Sequence, residues 1–158
     1  MLCVNPCFEF LDRAVIAGRA DEIVCLPDLT FARLLEDVAA VGGVLRVVGV
    51  QPDSEVAVEL SDDVRAVTAL LATLRLGAVP SETADVKVLD RDGEAHLVWP
   101  GEGGEEVALD WAGVLKAGRT DPAPAHETPA GHRAARPDLS DVQLPASAAD
   151  LRAIVSGV

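Results

Sequence analysis

The chain reads as an α/β protein, a small mixed sheet flanked by helices. Three observations predict this. Apolar residues recur at helical spacing in several separate segments, short alternating runs lie between those segments, and an Asp-Gly turn marks one antiparallel hairpin in the middle of the chain. A length of 158 residues suits one core rather than two.

The elements follow in order. Phe8, Leu11, Val15 and Ile16 sit at helical intervals and stop at Gly18, which predicts a first helix over residues 5–18. The run from Glu22 to Leu26 is a short strand, and Pro27 and Asp28 turn the chain. Thr30 is placed to cap a second helix with the face Phe31, Leu34, Leu35, Val38, Val41 and Leu45. From Gly49 to Ser54 the helical period breaks, and Val56, Val58 and Leu60 then alternate with Ala57 and Glu59 as a strand. Ser61 is expected to cap the next helix, with Asp62 and Asp63 in its first turn and Val64, Val67, Leu71 and Leu74 as its buried stripe. Gly77 ends it.

After Pro80, "DVKVLDRDGEAHLVW" predicts two strands around Asp92-Gly93. "PGEGGEEVALDWAGVLKAG" adds a Gly-rich loop, a strand near Val107 to Leu109, and a helix capped by Asp110 and ended by Gly118, where the core is expected to close. Five prolines (Pro122, Pro124, Pro129, Pro137 and Pro145) and no apolar period make 119–145 a linker or strap. Ser147 with Asp150 opens a last helix bearing Leu151, Ile154 and Val155. The expected division is an α/β domain over 1–118, a Pro/Ala-rich strap over 119–145 and a C-terminal helix over 146–158.

Composition excludes some functions. A net charge of −13 repels phosphate backbones and anionic lipid, so neither nucleic acid nor a membrane is an expected partner. No window approaches a membrane span, and the N-terminus lacks the pattern of a secretory signal, so the expected location is cytoplasmic. Three cysteines, Cys3, Cys7 and Cys25, are an odd number that argues against a disulfide framework.

The stretch Leu29 to Pro80, "LTFARLLEDVAAVGGVLRVVGVQPDSEVAVELSDDVRAVTALLATLRLGAVP", resembles the N-terminal part of the adenylate-forming superfamily, which contains the acyl-CoA synthetases. The pattern is an "LT-aromatic-x-x-L" helix start, "L-x-x-x-GV-x-P-x-D-x-V-A" across the next turn, and "ALLA-x-L-R-x-GAVP" on the following helix. "NPCFEFLDRAVIAGRAD" is similar to the opening helix of bacterial acyl-CoA synthetases, and "LDWAGVLKAGRTDPAPA" to the segment before their phosphate-binding loop. The resemblance implies ATP-dependent acyl activation in the family. Its chemistry does not transfer residue by residue. Where the family's Ser/Thr/Gly-rich loop ending in Pro-Lys-Gly should stand, the sequence reads "HETPAGHRAARPDLSDVQLPAS". Nothing in that run converges small-residue amides on a phosphate. The aromatic-x-x-Thr-Glu segment has no counterpart, and Lys87 and Lys116 lie in no matching motif. Two smaller departures are Arg33, where a carboxylate often completes the capping box, and Glu59, in a strand the family keeps apolar, which predicts an exposed face or edge.

The remaining candidates have plainer readings. Cys3, Cys7 and Cys25 with His96, His126 or His132 show neither zinc spacing nor a nucleophile–base pair. Gly101, Gly103 and Gly104 are followed by Glu105 and Glu106 rather than by a lysine, so the loop reads as a turn. Asp62 and Asp63 fit a helix start better than a metal pair, and Trp99 and Trp111 fit a small core better than a partner anchor. The sequence therefore predicts no catalytic, cofactor-binding or metal-binding residue and no cofactor. It predicts a pseudoenzyme-like module that binds a protein partner or a second copy of itself, a small-molecule ligand being left open. The alternative is one part of a split acyl-CoA synthetase that needs a second chain.

Overall fold

The longest apolar stripe in the sequence becomes the longest helix. In the computed structural model, which describes residues 4–135, 139 and 142–156, α2 (Phe31–Val47) begins where the Thr30 hydroxyl accepts the Arg33 N–H at 3.2 Å. Phe31, Leu34, Val38, Val41 and Leu45 are buried along it, with Leu35 half-buried alongside.

The first helix forms where expected but in a different winding. Phe8–Asp12 is a π-helix and only α1 (Arg13–Ile16) is α-helical. The wider π turn shifts the phase of the buried face. Cys7, Phe10, Leu11 and Ala14 face inward, whereas Ile16, expected in the stripe, is 74% exposed. Next, β1 (Ile23–Cys25) pairs antiparallel with β2 (Leu29–Thr30), and Cys25 makes a parallel bridge to Ala146, which brings the C-terminal segment against the N-terminal one.

The main sheet has the order β4-β3-β5-β6-β7. β3 (Glu55–Glu59) lies parallel to both β4 (Val79–Pro80) and β5 (Val86–Arg91), and β6 (Glu94–Pro100) and β7 (Glu106–Asp110) continue antiparallel. Asp92 and Gly93, at φ 55° and 82°, supply the paired left-handed residues that a two-residue hairpin of this hand requires. α3 (Asp63–Arg75) connects β3 to β4. Its cap is Asp62, which accepts the Arg65 N–H at 2.9 Å, and not Ser61. The helix starts one residue later than expected because Ser61 is bound to β5, as described below.

Cross-strand register sorts the side chains into two faces. Val56, Val86, Val88, Leu97 and Leu109 share one face and join the continuous core. α3 packs there on β3 and β4, and α4 (Trp111–Gly118) on β6 and β7. α2 lies outside them, against α3 and α4, and α5 (Ala148–Val155) packs on α3. Sandwiched this way, α3 is buried from Ala66 through Arg75, a wider band than a one-sided stripe. The Thr68 and Thr73 hydroxyls in that band donate to the carbonyls of Val64 and Ala69, both at 2.8 Å. Where α2 and α4 cross, Gly118 is needed for closeness: a Cβ there would sit 1.8 Å from the Ala40 carbonyl oxygen.

The core does not close at Gly118. Ala123, Leu139, Leu151 and Val155 are buried in the same cluster. The segment after α4 is tied down by its backbone rather than by an apolar period, with Ala123 N–H donating to the Ala39 carbonyl at 2.9 Å and His126 N–H to that of Arg75 at 2.8 Å. Periodicity has no access to contacts of that kind.

Candidate functional site

Polar side chains gather at the C-terminal end of α3. Asn5 donates to the carbonyls of Leu74, Arg75 and His126 at 3.3, 3.1 and 2.8 Å, and its side-chain oxygen accepts the N–H groups of Cys7 and Phe8. Arg75 grips both Asp12 oxygens, at 2.7 and 3.0 Å, and donates to the Ala123 carbonyl at 2.7 Å. It also reaches the Cys7 sulfur at 3.4 Å. Burial pushes the Cys7 thiol up to about 12 against the pull of Arg75, so it is neutral at physiological pH and not a nucleophile. The cluster satisfies itself. Its role is to tie the N-terminal helix, α3 and the segment after α4 into one body.

A second cluster sits at the C-terminal ends of β3 and β5, where parallel α/β sheets present their ligand sites. Ser61 donates its N–H and hydroxyl to Asp90 Oδ2 at 2.8 and 2.7 Å. Those bonds, hydroxyl first, hold the exposed Asp90 carboxyl below its ordinary range. Asp62 caps α3, and Asp63 pairs with Arg152 of α5 at 2.9 Å. A phosphate arriving at the α3 N-terminus would meet two carboxylates already in place. Both acids have structural partners, so they do not form an open metal pair.

Two depressions lie elsewhere on the surface. One, of about 980 Å³, is lined by Phe10, Ala14, Phe31, Leu139, Val142 and Leu144. The arginines on its rim, Arg13 and Arg19, are held by Glu9 and Glu22 at 2.7 and 3.1 Å, so their charge is compensated. The other, of about 470 Å³, carries Asp53, Glu55 and Asp85 and disfavours anions. Elsewhere, Asp37 on α2 is a half-buried carboxyl raised by its burial and drawn back by Arg33 and Arg119.

Among the described residues, the helices that pack on the sheet, α3 and α4, lie on the core side, and the other face is the more open one. The register sets Ala57, Lys87, Val98 and Ala108 in one row across it, and Glu59, Leu89, His96 and Asp110 in the next. Glu59 is exposed there, as its departure from an apolar strand suggested. Ala57 and Val98 are buried there yet stand outside the continuous core.

The residues weighed from sequence do not converge. Cys3 lies outside the described residues. Cys25 is buried, donates to the Leu26 carbonyl at 3.5 Å, and has its thiol raised by burial. His96 contacts the Glu94 carbonyl, the His126 backbone binds α3, and the His132 ring binds Asp53. Among the described residues, no three His, Cys, Asp or Glu side chains are grouped to hold a metal. The Gly101 and Gly104 N–H groups serve their own turn, donating to Glu105 and Gly101 carbonyls, and Trp99 and Trp111 pack half-buried on the core. Lys87 stands on the open sheet face, and Lys116 is exposed on α4. The Arg75–Asp12 and Ser61–Asp90 ties carried no sequence signal, because the partners lie 63 and 29 residues apart. Among the described residues, no helix is long and apolar enough to cross a membrane.

Comparisons with known proteins fit this architecture. No family model matches the chain. Over 86 residues, 49% of its length, it is 36% identical to acetyl-coenzyme A synthetase 2 of Debaryomyces hansenii, and it spans 13% of that protein. The crystal structure of apo MatB from Rhodopseudomonas palustris superposes with a TM-score of 0.60 at 18% identity, covering 84% of this chain and 32% of MatB. The ATP-bound form of MatB gives 0.56 at 19% identity, covering 84% and 31%. At such identities the structural likeness shows the fold, and the sequence match adds a similarity over about half the chain. The chain thus has the fold of part of MatB, and about half of it is similar in sequence to part of an acetyl-coenzyme A synthetase, so it resembles a portion of an acyl-CoA synthetase.

Proposed function

We propose that the chain is a non-catalytic, acyl-CoA synthetase-like module of the cytoplasm that works by protein interaction, taking another chain or a second copy against the sheet. The observation that supports this reading is the one-sided sheet. Helices cover one face, and the other offers Leu89 and Ala108 around the buried Ala57 and Val98. A β-sheet with one open face gains free energy when apolar side chains on that face leave water, about 25 cal/mol per Å². The polar clusters of the molecule are already self-satisfied, which gives them a role in holding the scaffold rather than in turnover. The test is a Leu89→Lys variant, which charges the open face without entering the core. Association measured by analytical ultracentrifugation and by co-purification should fall while the melting temperature holds. A monomer at every concentration, with the variant retaining the same companions as the parent, overturns the proposal.

The 36% identity to an acetyl-coenzyme A synthetase favours one second reading, a part of a split ligase. On that reading ATP–pyrophosphate exchange arises only when this chain is mixed with one supplying the phosphate-binding loop. Absence of exchange in every such mixture removes it.

A further inference from the structure

Among the described residues β7 is an edge strand, and one side of its backbone is unused. Its register with β6 sets Val107 opposite Trp99, Ala108 opposite Val98 and Leu109 opposite Leu97, and the Gly101 N–H donates to the Glu105 carbonyl at 2.7 Å. Opposed residues in an antiparallel pair alternate between exchanging hydrogen bonds and not exchanging them. Counting by twos from the Gly101–Glu105 pair, Val107 and Leu109 bond to β6. Glu106 and Ala108 therefore direct their N–H and C=O groups away from the sheet, and none of these four groups is engaged elsewhere among the described residues. Every residue of β7 except Leu109 is exposed, and Val107 is 39% exposed. The strand carries no proline and no bulge, two of the usual protections of an edge, and its charges stand at its ends.

We infer that β7 accepts an added strand from a different protein, a segment apolar at its centre and carrying Lys or Arg at its ends. Ala108 and Val107 offer small apolar surfaces on the two faces at the middle of the edge, while Glu105, Glu106 and Asp110 stand at its two ends. Arg91 holds Glu106 at 2.6 Å and Asp110 caps α4, and among the described residues Arg91 is the one basic side chain in an ion pair with this edge. Lys87 lies two strands inward. A second copy is the poorer occupant. The antiparallel register that pairs both β7 strands over their full length sets Glu106 against Asp110 at each end, and like charges directly opposed are destabilising. Each copy also brings a net charge of −13. Strand addition supplies affinity through main-chain hydrogen bonds and selectivity through the side chains.

This inference rests on the protein-interaction reading and narrows it to one edge. The test titrates the whole chain with a synthetic peptide, Lys-Thr-Val-Thr-Val-Thr-Lys, and with its counterpart bearing Glu for Lys, following backbone amides by NMR. The lysine peptide should shift and protect the Glu106 and Ala108 amides saturably, with affinity falling as salt rises, and the glutamate peptide should leave them unchanged. Ala108→Pro removes an outward N–H without touching a β6 bond, so the variant should fold and bind the lysine peptide about tenfold more weakly or worse. Unshifted Glu106 and Ala108 amides, equal binding of the two peptides, or unaltered binding by Ala108→Pro each overturn the inference. Concentration-dependent protection of the same amides without peptide would make a second copy the occupant and overturn it too. If Leu89→Lys abolishes association while the peptide titration is blank, the edge is wrong and the open-face reading survives.

Discussion

Arg75 should be the polar residue on which stability depends most. Its side chain is 6% exposed and that of Asp12 18%, and the two are joined by a bidentate pair at 2.7 and 3.0 Å. Asp12→Leu leaves a guanidinium buried with only the Ala123 carbonyl and the Cys7 sulfur as partners. Breaking one side of a buried pair costs about 3–5 kcal/mol, and the two remaining acceptors place this variant near 3. For a chain of this length that is a fall of roughly 6–12 °C in melting temperature. Adding Arg75→Met removes the orphaned charge and replaces it with a flexible apolar side chain. The double variant should recover about 2 kcal/mol, its residual loss being chiefly the bond to Ala123, about 1 kcal/mol. Urea unfolding of the parent, both single variants and the double variant completes the cycle. Additive losses, or a cost for Asp12→Leu below about 1 kcal/mol, would refute the claim that the pair is a desolvated staple.

Three further outcomes are expected. Gly118→Ala drives a Cβ to 1.8 Å from the Ala40 oxygen, so despite alanine's better helix propensity it should lower stability by about 1–3 kcal/mol, read as a urea midpoint; a neutral result would mean that α2 and α4 do not pack this closely. The Cys7 thiol sits at about 12 in the folded state against an ordinary 9.0, so the folded chain keeps a proton that the unfolded chain releases. Its stabilising contribution is full below about pH 9 and is lost as pH climbs towards 12, so Cys7→Ala should flatten the alkaline fall in unfolding free energy; equal slopes would contradict this. Asp62→Ala should cost about 1 kcal/mol as the loss of a helix cap, while Ser61→Ala should cost less and let the Asp90 carboxyl rise towards its ordinary range in an NMR titration. Because the folded Asp90 carboxyl is depressed, its contribution is present above its unfolded range and lost as pH falls through the folded one. A larger loss from Ser61→Ala would restore Ser61 as the cap.

What the sequence determined by itself is the set of features governed by residues within a few positions of one another. Thr30, Asp110 and Ser147 each accept an N–H three residues on, as their placement before apolar runs predicted. Asp92 and Gly93 adopt the turn that their backbone freedom favours, and the α2 stripe is buried as its period implied. The resemblance to part of the acyl-CoA synthetases was legible for a similar reason, since it lies in the order and spacing of such elements. Tertiary structure decided the rest. Ser61 lost the α3 cap to Asp62 because Asp90, 29 residues away, claims its hydroxyl. The first helix changed its buried face because Phe8–Asp12 winds as a π-helix, with Leu11 in the core and Asp12 on Arg75. The core ran past Gly118 because backbone hydrogen bonds, which leave no hydrophobic period, anchor Ala123 and His126. The open sheet face and the unused edge of β7 likewise exist only once the strands are in register, since which side of a strand meets water depends on what packs across it.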